Sequence, residues 1–154
     1  MTEDDKSELD HKAIAMETFN ATWDLLKNDM RTAEENDMMV HSAHTSRYHW
    51  SKVGGPMEAE RGDWQLSRVY ATLGKGSEAL HYAKHTLNTC LENEIGDFDQ
   101  AFAYEAMARA HSVNGNWTEV DRYVQMAKSA ADNIEKKDDR EYLLGQLDSI
   151  PWMP

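Results

Sequence analysis

The densest chemistry in this chain is a run of histidines. The stretch HSAHTSRYHW carries His41, His44 and His49, and four of the seven histidines lie elsewhere. Imidazole is the commonest protein ligand for transition metals, so such a run first suggests a metal site. At about 100° per residue, His41, His44 and Tyr48 share one helix face, with His49 at its margin. That polar face lies opposite an apolar stripe of Met39, Ala43, Trp50 and Val53. Two histidines at i and i+3 reach one metal, but a stable site needs three or four ligands. Glu58, Glu60 or Asp63 would have to complete it. The His-Glu-x-x-His pattern of zinc proteases is absent. Solvated or capping histidines are the simpler reading, and a metal-binding protein or metal-dependent enzyme built on the His41/His44 helix is the alternative.

Other reactive residues carry less. His81 and His85 are spaced i and i+4, away from the stripe of Ala79, Ala83 and Leu87, and so belong at the surface. Cys90 is the single cysteine. It cannot form an internal disulfide, and Leu87 and Leu91 beside it predict a buried structural thiol, not a nucleophile. The chain has no Gly-rich phosphate loop, Gly-x-Ser-x-Gly elbow or Cys-x-x-Cys pair. No catalytic residue and no cofactor is predicted, and a binding protein is favoured over an enzyme.

Charge narrows the partners. Sixteen Lys and Arg oppose 28 Asp and Glu, a formal net charge of -12, which repels phosphate backbones and anionic lipid. Neither nucleic acid nor membrane is an expected partner. The opening MTEDDKSELD lacks the basic and apolar regions of a signal peptide, and no apolar stretch is long enough to span a bilayer. Cytoplasmic residence is the expectation.

The elements that position these residues are helical. Prolines occur only at positions 56, 151 and 154, and apolar residues recur at spacings of three and four, as in Ala79, Leu80, Ala83, Leu87, Cys90 and Leu91. Caps predict about seven helices in one domain spanning 1–154. Ser7 opens the first, after an acidic tail over 1–7, and it runs to about Lys27. Thr32 with Glu35 forms a capping box for the second, which ends at Gly54 and Gly55. Pro56 suits the first turn of the third, which stops at Gly74. The fourth runs from Gly76 to Asn93. Asp97 with Gln100 caps the fifth, which stops at Gly115, and the sixth runs from Trp117 to Ile134. Asp138 with Glu141 opens the seventh, which ends before Pro151. Short loops make sequence neighbours antiparallel, giving hairpins over 8–54, 56–93 and 97–134 and a capping helix over 138–150. Met38, Met39 and Met107 read as core filler, and Trp152 in the terminal PWMP as an apolar lid or a homodimer contact.

Aligning the chain on Gly74 and Gly115 exposes a repeat. Glu78, Ala79 and Tyr82 after the first correspond to Glu119, Val120 and Tyr123 after the second. Leu66, Ser67 and Tyr70 before the first correspond to Met107, Ala108 and His111 before the second. A small residue, an aromatic, a helix-ending Gly and then a small apolar packing residue resemble the tetratricopeptide repeat (TPR) over roughly 61–131. The glycines stand 41 residues apart (115 minus 74) where that family has about 34, so an extension falls near Glu92 to Asp97. The closing Pro is missing, and Ala83 and Val124 stand where the family often has Phe. The whole chain also resembles uncharacterised bacterial TPR-like proteins with similar HSAHTSRYHW and DFDQAFAYEAMARA stretches.

This resemblance implies an all-α fold of antiparallel helical hairpins stacked as a short right-handed superhelix with a concave groove. The family's groove positions fall on Arg61, Trp64 and Arg68 in one hairpin and on Phe102, Glu105 and Arg109 in the next. Arg68 and Arg109 thereby occupy the same repeat position. Two neighbouring guanidiniums can grip carboxylates bidentately, with Trp64 and Phe102 as apolar anchors. The implied partner is a peptide or protein, an acidic segment or free C-terminus, or a small carboxylic acid. The plainer alternative is that both arginines pair with acidic neighbours such as Glu105.

Overall fold

The computed structural model describes residues 3–151, with side chains from Asp10 onward. Trp152 and the expected lid or dimer contact lie outside the described residues. Among those residues there are seven helices and no strand: α1 (Glu3–Lys27), α2 (Ala33–Val53), α3 (Pro56–Thr72), α4 (Gly76–Glu92), α5 (Asp97–Val113), α6 (Trp117–Ala131) and α7 (Lys137–Asp148). The all-α expectation holds, and most boundaries fall within a residue or two of the caps that predicted them.

Local chemistry accounts for those ends. At α2 the Glu35 N–H donates to Thr32 Oγ1 at 3.1 Å and the Thr32 N–H to Glu35 Oε1 at 3.1 Å, the expected reciprocal box. Pro56 opens α3, and the Glu58 carboxylate accepts the Gly55 N–H at 3.0 Å. Gly74 and Gly115 end α3 and α5 at φ 74° and 73°, the left-handed region where a side chain is strained. Each is followed by the same long-reaching bond, Lys75 N–H to the Tyr70 carbonyl and Asn116 N–H to the His111 carbonyl. Glu94 takes the same role after α4, at φ 55°, without glycine's freedom.

Three expected starts differ. α1 begins at Glu3, ahead of Ser7. Asp97 does not cap α5: its φ is 53°, whereas a capping side chain needs extended backbone, and Gly96 takes the cap position. α7 starts from Lys136 without a side-chain cap, so Asp138 and Asp139 act in its first turn as charges favourable to the helix dipole.

The helices pair as α1 with α2, α3 with α4 and α5 with α6, and the pairs join through α2–α3 and α4–α5. Odd helices also pack closely one on another in order, α1–α3, α3–α5 and α5–α7, while among the described residues the even helices do not approach so closely, and His44 of α2 meets Tyr82 of α4 through their rings. The odd helices therefore form one layer. Small side chains make this spacing feasible: Ala79, Ala83, Ala106 and Ala110 are buried where α4 meets α5, and Ala101, Ala108, Ala127 and Ala131 where α5 meets α6. Ser67 is buried and donates to the Ala79 carbonyl at 2.8 Å, tying α3 to α4. Met39 and Met107 fill the core as expected, but Met38 is 56% exposed. Cys90 is buried, whereas Leu91 turns outward from the expected stripe.

Candidate ligand site

The layer of odd helices brings Arg68 and Arg109 together over a single carboxylate. Arg109 Nε donates to Glu105 Oε1 at 2.7 Å across one turn of α5, and Arg68 Nη2 reaches the same oxygen from α3 at 3.4 Å. Glu105 is fully buried; the arginine side chains keep 15% and 12% of their surface. Helix α7 supplies the remaining acceptors. Arg68 Nη2 donates to Gln146 Oε1 at 2.9 Å, and Arg109 Nη2 donates to the Gln146 carbonyl at 3.0 Å and to Ser149 Oγ at 2.8 Å. Both arginines thus pair with Glu105, the plainer alternative, yet two guanidiniums share one carboxylate and leave a positive excess. Burial lowers the Arg68 pKa from its ordinary value, and Glu105 offsets this only in part.

Aromatic rings hold this layer together. Ring centroids run Phe19 to Trp23 at 6.4 Å, Trp23 to Trp64 at 5.2 Å, Trp64 to Phe102 at 5.4 Å and Phe102 to Tyr142 at 5.7 Å. The run crosses α1, α3, α5 and α7, each contact within the range of favourable ring pairs. Trp64 and Phe102, expected as apolar anchors for a ligand, pack on each other, and Phe102, 3% exposed, serves the core. Arg61 stands apart, donating to Asp99 at 3.1 and 3.4 Å.

One hollow of about 430 Å³ opens onto this layer. Helix α1 gives it Trp23, Leu26 and Lys27, helix α3 gives Arg68 and Thr72, and helix α7 gives Tyr142 and Gln146. Of the six expected groove residues only Arg68 lines it, because α7 lies over Arg109 and closes that part of the face. Trp23, Lys27, Tyr142 and Gln146 were not legible as site residues. They belong to α1 and α7, outside the 61–131 stretch in which the groove was expected, and no spacing rule links residues so distant in the chain.

The histidine patch does not converge. His44 turns inward, with Nε2 2.8 Å from the Tyr70 hydroxyl and its ring edge-on to Tyr70 and Tyr82. Burial, then the neighbouring His41, lowers its pKa. His41 is exposed, and Tyr48 is 56% exposed beneath Lys52. The acids named as further ligands face elsewhere: Glu58 caps α3, and Asp63 accepts from Arg47 at 2.9 Å. Among the described residues no three His, Cys, Asp or Glu side chains gather as a metal site would require. His49 instead faces His11 on α1, with Nδ1 atoms 2.8 Å apart. His81 and His85 are exposed, as expected. Tyr70 stacks on Tyr82 at 5.8 Å and His111 on Tyr123 at 5.7 Å, so the aligned pairs make the same contact twice.

A second polar cluster escaped the sequence. Glu60 is 2% exposed and Asp99 7% exposed, brought together from α3 and α5. The Cys90 thiol donates to Glu60 Oε2 at 3.6 Å. Burial and the adjacent Asp99 push the Glu60 pKa up to about 9, so it holds a proton at neutral pH. Burial and Glu60 push the Cys90 thiol up as well, which makes it unreactive. Among the described residues, no helix is long and apolar enough to cross a membrane. Comparison with known proteins gives no match to a protein family, to a curated protein or to a solved structure.

Proposed function

We propose that the chain is a non-catalytic binding protein of TPR-like helical hairpins, which holds an anionic ligand in the hollow between α1, α3 and α7. The observation that carries this reading is the charge arrangement. In a chain of net charge -12, Lys27 and Arg68 line a hollow with no carboxylate among its lining residues. Among the described residues, the acid that pairs with Arg68, Glu105, is shared with Arg109. A ligand carboxylate there would meet unspent N–H donors in a partly desolvated setting, where charged hydrogen bonds are strongest. A peptide end, an acidic protein segment or a small carboxylic acid all offer that group. A reducing compartment such as the cytoplasm suits the free Cys90.

The test is calorimetric titration with carboxylate ligands, using wild type and Arg68→Ala, with circular dichroism to confirm that the variant is folded. Loss of a charged hydrogen bond is worth about 1.5–3 kcal/mol, or roughly 10- to 150-fold in affinity. Affinity unchanged by the substitution, for every carboxylate that binds, would refute the site.

A further inference from the structure

Resting on that reading, we infer that the hollow takes a small aromatic monocarboxylic acid and not a peptide. Space is the first argument. A volume of about 430 Å³ fits a compact molecule, and the face beyond it is shut. Arg109 is tied to Gln146 and Ser149, Glu105 is fully buried, and Phe102 is 3% exposed, so an extended chain has no path across α5.

Polarity is the second argument. Lys27 and Arg68 are donors only. The Gln146 side-chain oxygen already accepts from Arg68, while the Thr72 hydroxyl donates to the Arg68 carbonyl at 2.8 Å and keeps its oxygen as an acceptor. Lys27 from α1 and Arg68 from α3 both line the hollow, and one acceptor-rich group such as a single carboxylate matches them. A peptide would bring backbone N–H groups for which the lining offers few free acceptors, and burying them unpaired is costly.

The walls give the third argument. Trp23 on α1 and Tyr142 on α7 are the terminal lining members of the ring run through Trp64 and Phe102. Each is braced by a neighbouring ring, so the two faces are positioned before a ligand arrives, which lowers the ordering cost of binding. A planar aromatic body matches such walls better than a flexible alkyl chain.

The experiment is titration of the full chain with phenylacetate, indole-3-acetate, their amides, hexanoate and a hexapeptide with a free C-terminus. Binding is read by calorimetry and by the indole N–H resonance assigned to Trp23. The aromatic acids are expected to bind and shift that resonance, the amides to bind at least tenfold more weakly, and hexanoate to fall between. Exposed Lys27 is replaceable without disturbing the fold, and Lys27→Ala should weaken the aromatic acids several-fold. Peptide binding that depends on Arg68, with no binding of the aromatic acids, would overturn this inference and leave the anionic-ligand reading standing. Binding of none of these carboxylates would overturn both.

Discussion

Replacing Glu60 with Gln tests the buried carboxyl pair most directly. Glu60 has an ordinary pKa of 4.5 and a folded-state value of about 9, raised by burial and by Asp99. The folded protein therefore binds more protons than the unfolded chain between those values, so stability falls as pH rises through that window. The contribution is complete below pH 4.5 and exhausted above pH 9. Each unit is worth about 1.36 kcal/mol, so at pH 7 the 2.5 units above 4.5 amount to about 3 kcal/mol. Glutamine keeps the shape and still offers Asp99 a donor, but has no proton to lose. Thermal unfolding of both proteins from pH 4.5 to 9, with calorimetric enthalpies, gives the difference. Near pH 4.5 the midpoints should coincide. At pH 7 the variant should be higher by about 6–12 °C, from roughly 2–4 °C per kcal/mol for a chain of this size. Parallel curves across the range would refute the reasoning, because they would mean that Glu60 has the same proton affinity folded and unfolded.

Other expectations concern single positions. Glu105→Gln removes the only carboxylate between Arg68 and Arg109 and should destabilise by on the order of 3 kcal/mol, as for a broken buried ion pair, measured by urea unfolding. Gly74→Ala meets no neighbouring atom within 4 Å but sits at φ 74°, so it should cost about 1 kcal/mol from backbone strain alone. Glu94→Gly, at φ 55° on the surface, should move stability the other way by about the same amount. Equal signs for those last two in chemical denaturation would show that the left-handed backbone does not set their effect.

Much of the architecture follows from sequence-local rules. A capping box needs Thr32 and Glu35 three residues apart, proline is tolerated in a first helical turn, and a left-handed turn favours glycine, so α2, α3 and the end of α5 could be delimited from spacing alone. At Asp97, held at φ 53°, and at Lys136, which makes no side-chain cap bond, the same rules missed the cap. The pairing of Arg68 with Arg109 was also legible, because each stands six residues before a helix-ending glycine, Gly74 or Gly115.

The surroundings of those arginines were decided only by the tertiary fold. Helix α7 turns back so that Gln146 and Ser149 meet Arg68 and Arg109 and close half the expected groove, and α1 brings Trp23 and Lys27 to the open half. Glu60 and Asp99 are 39 residues apart (99 minus 60), and nothing in either segment marks them as buried neighbours. His44 read as solvated because the helical wheel shows only its own helix; Tyr70 and Tyr82 arrive from two others. Helix ends are set by backbone hydrogen bonds spanning a few residues, so the sequence carries them locally. A site is set by which side chains distant helices bring together, and that information exists only once the layers have packed.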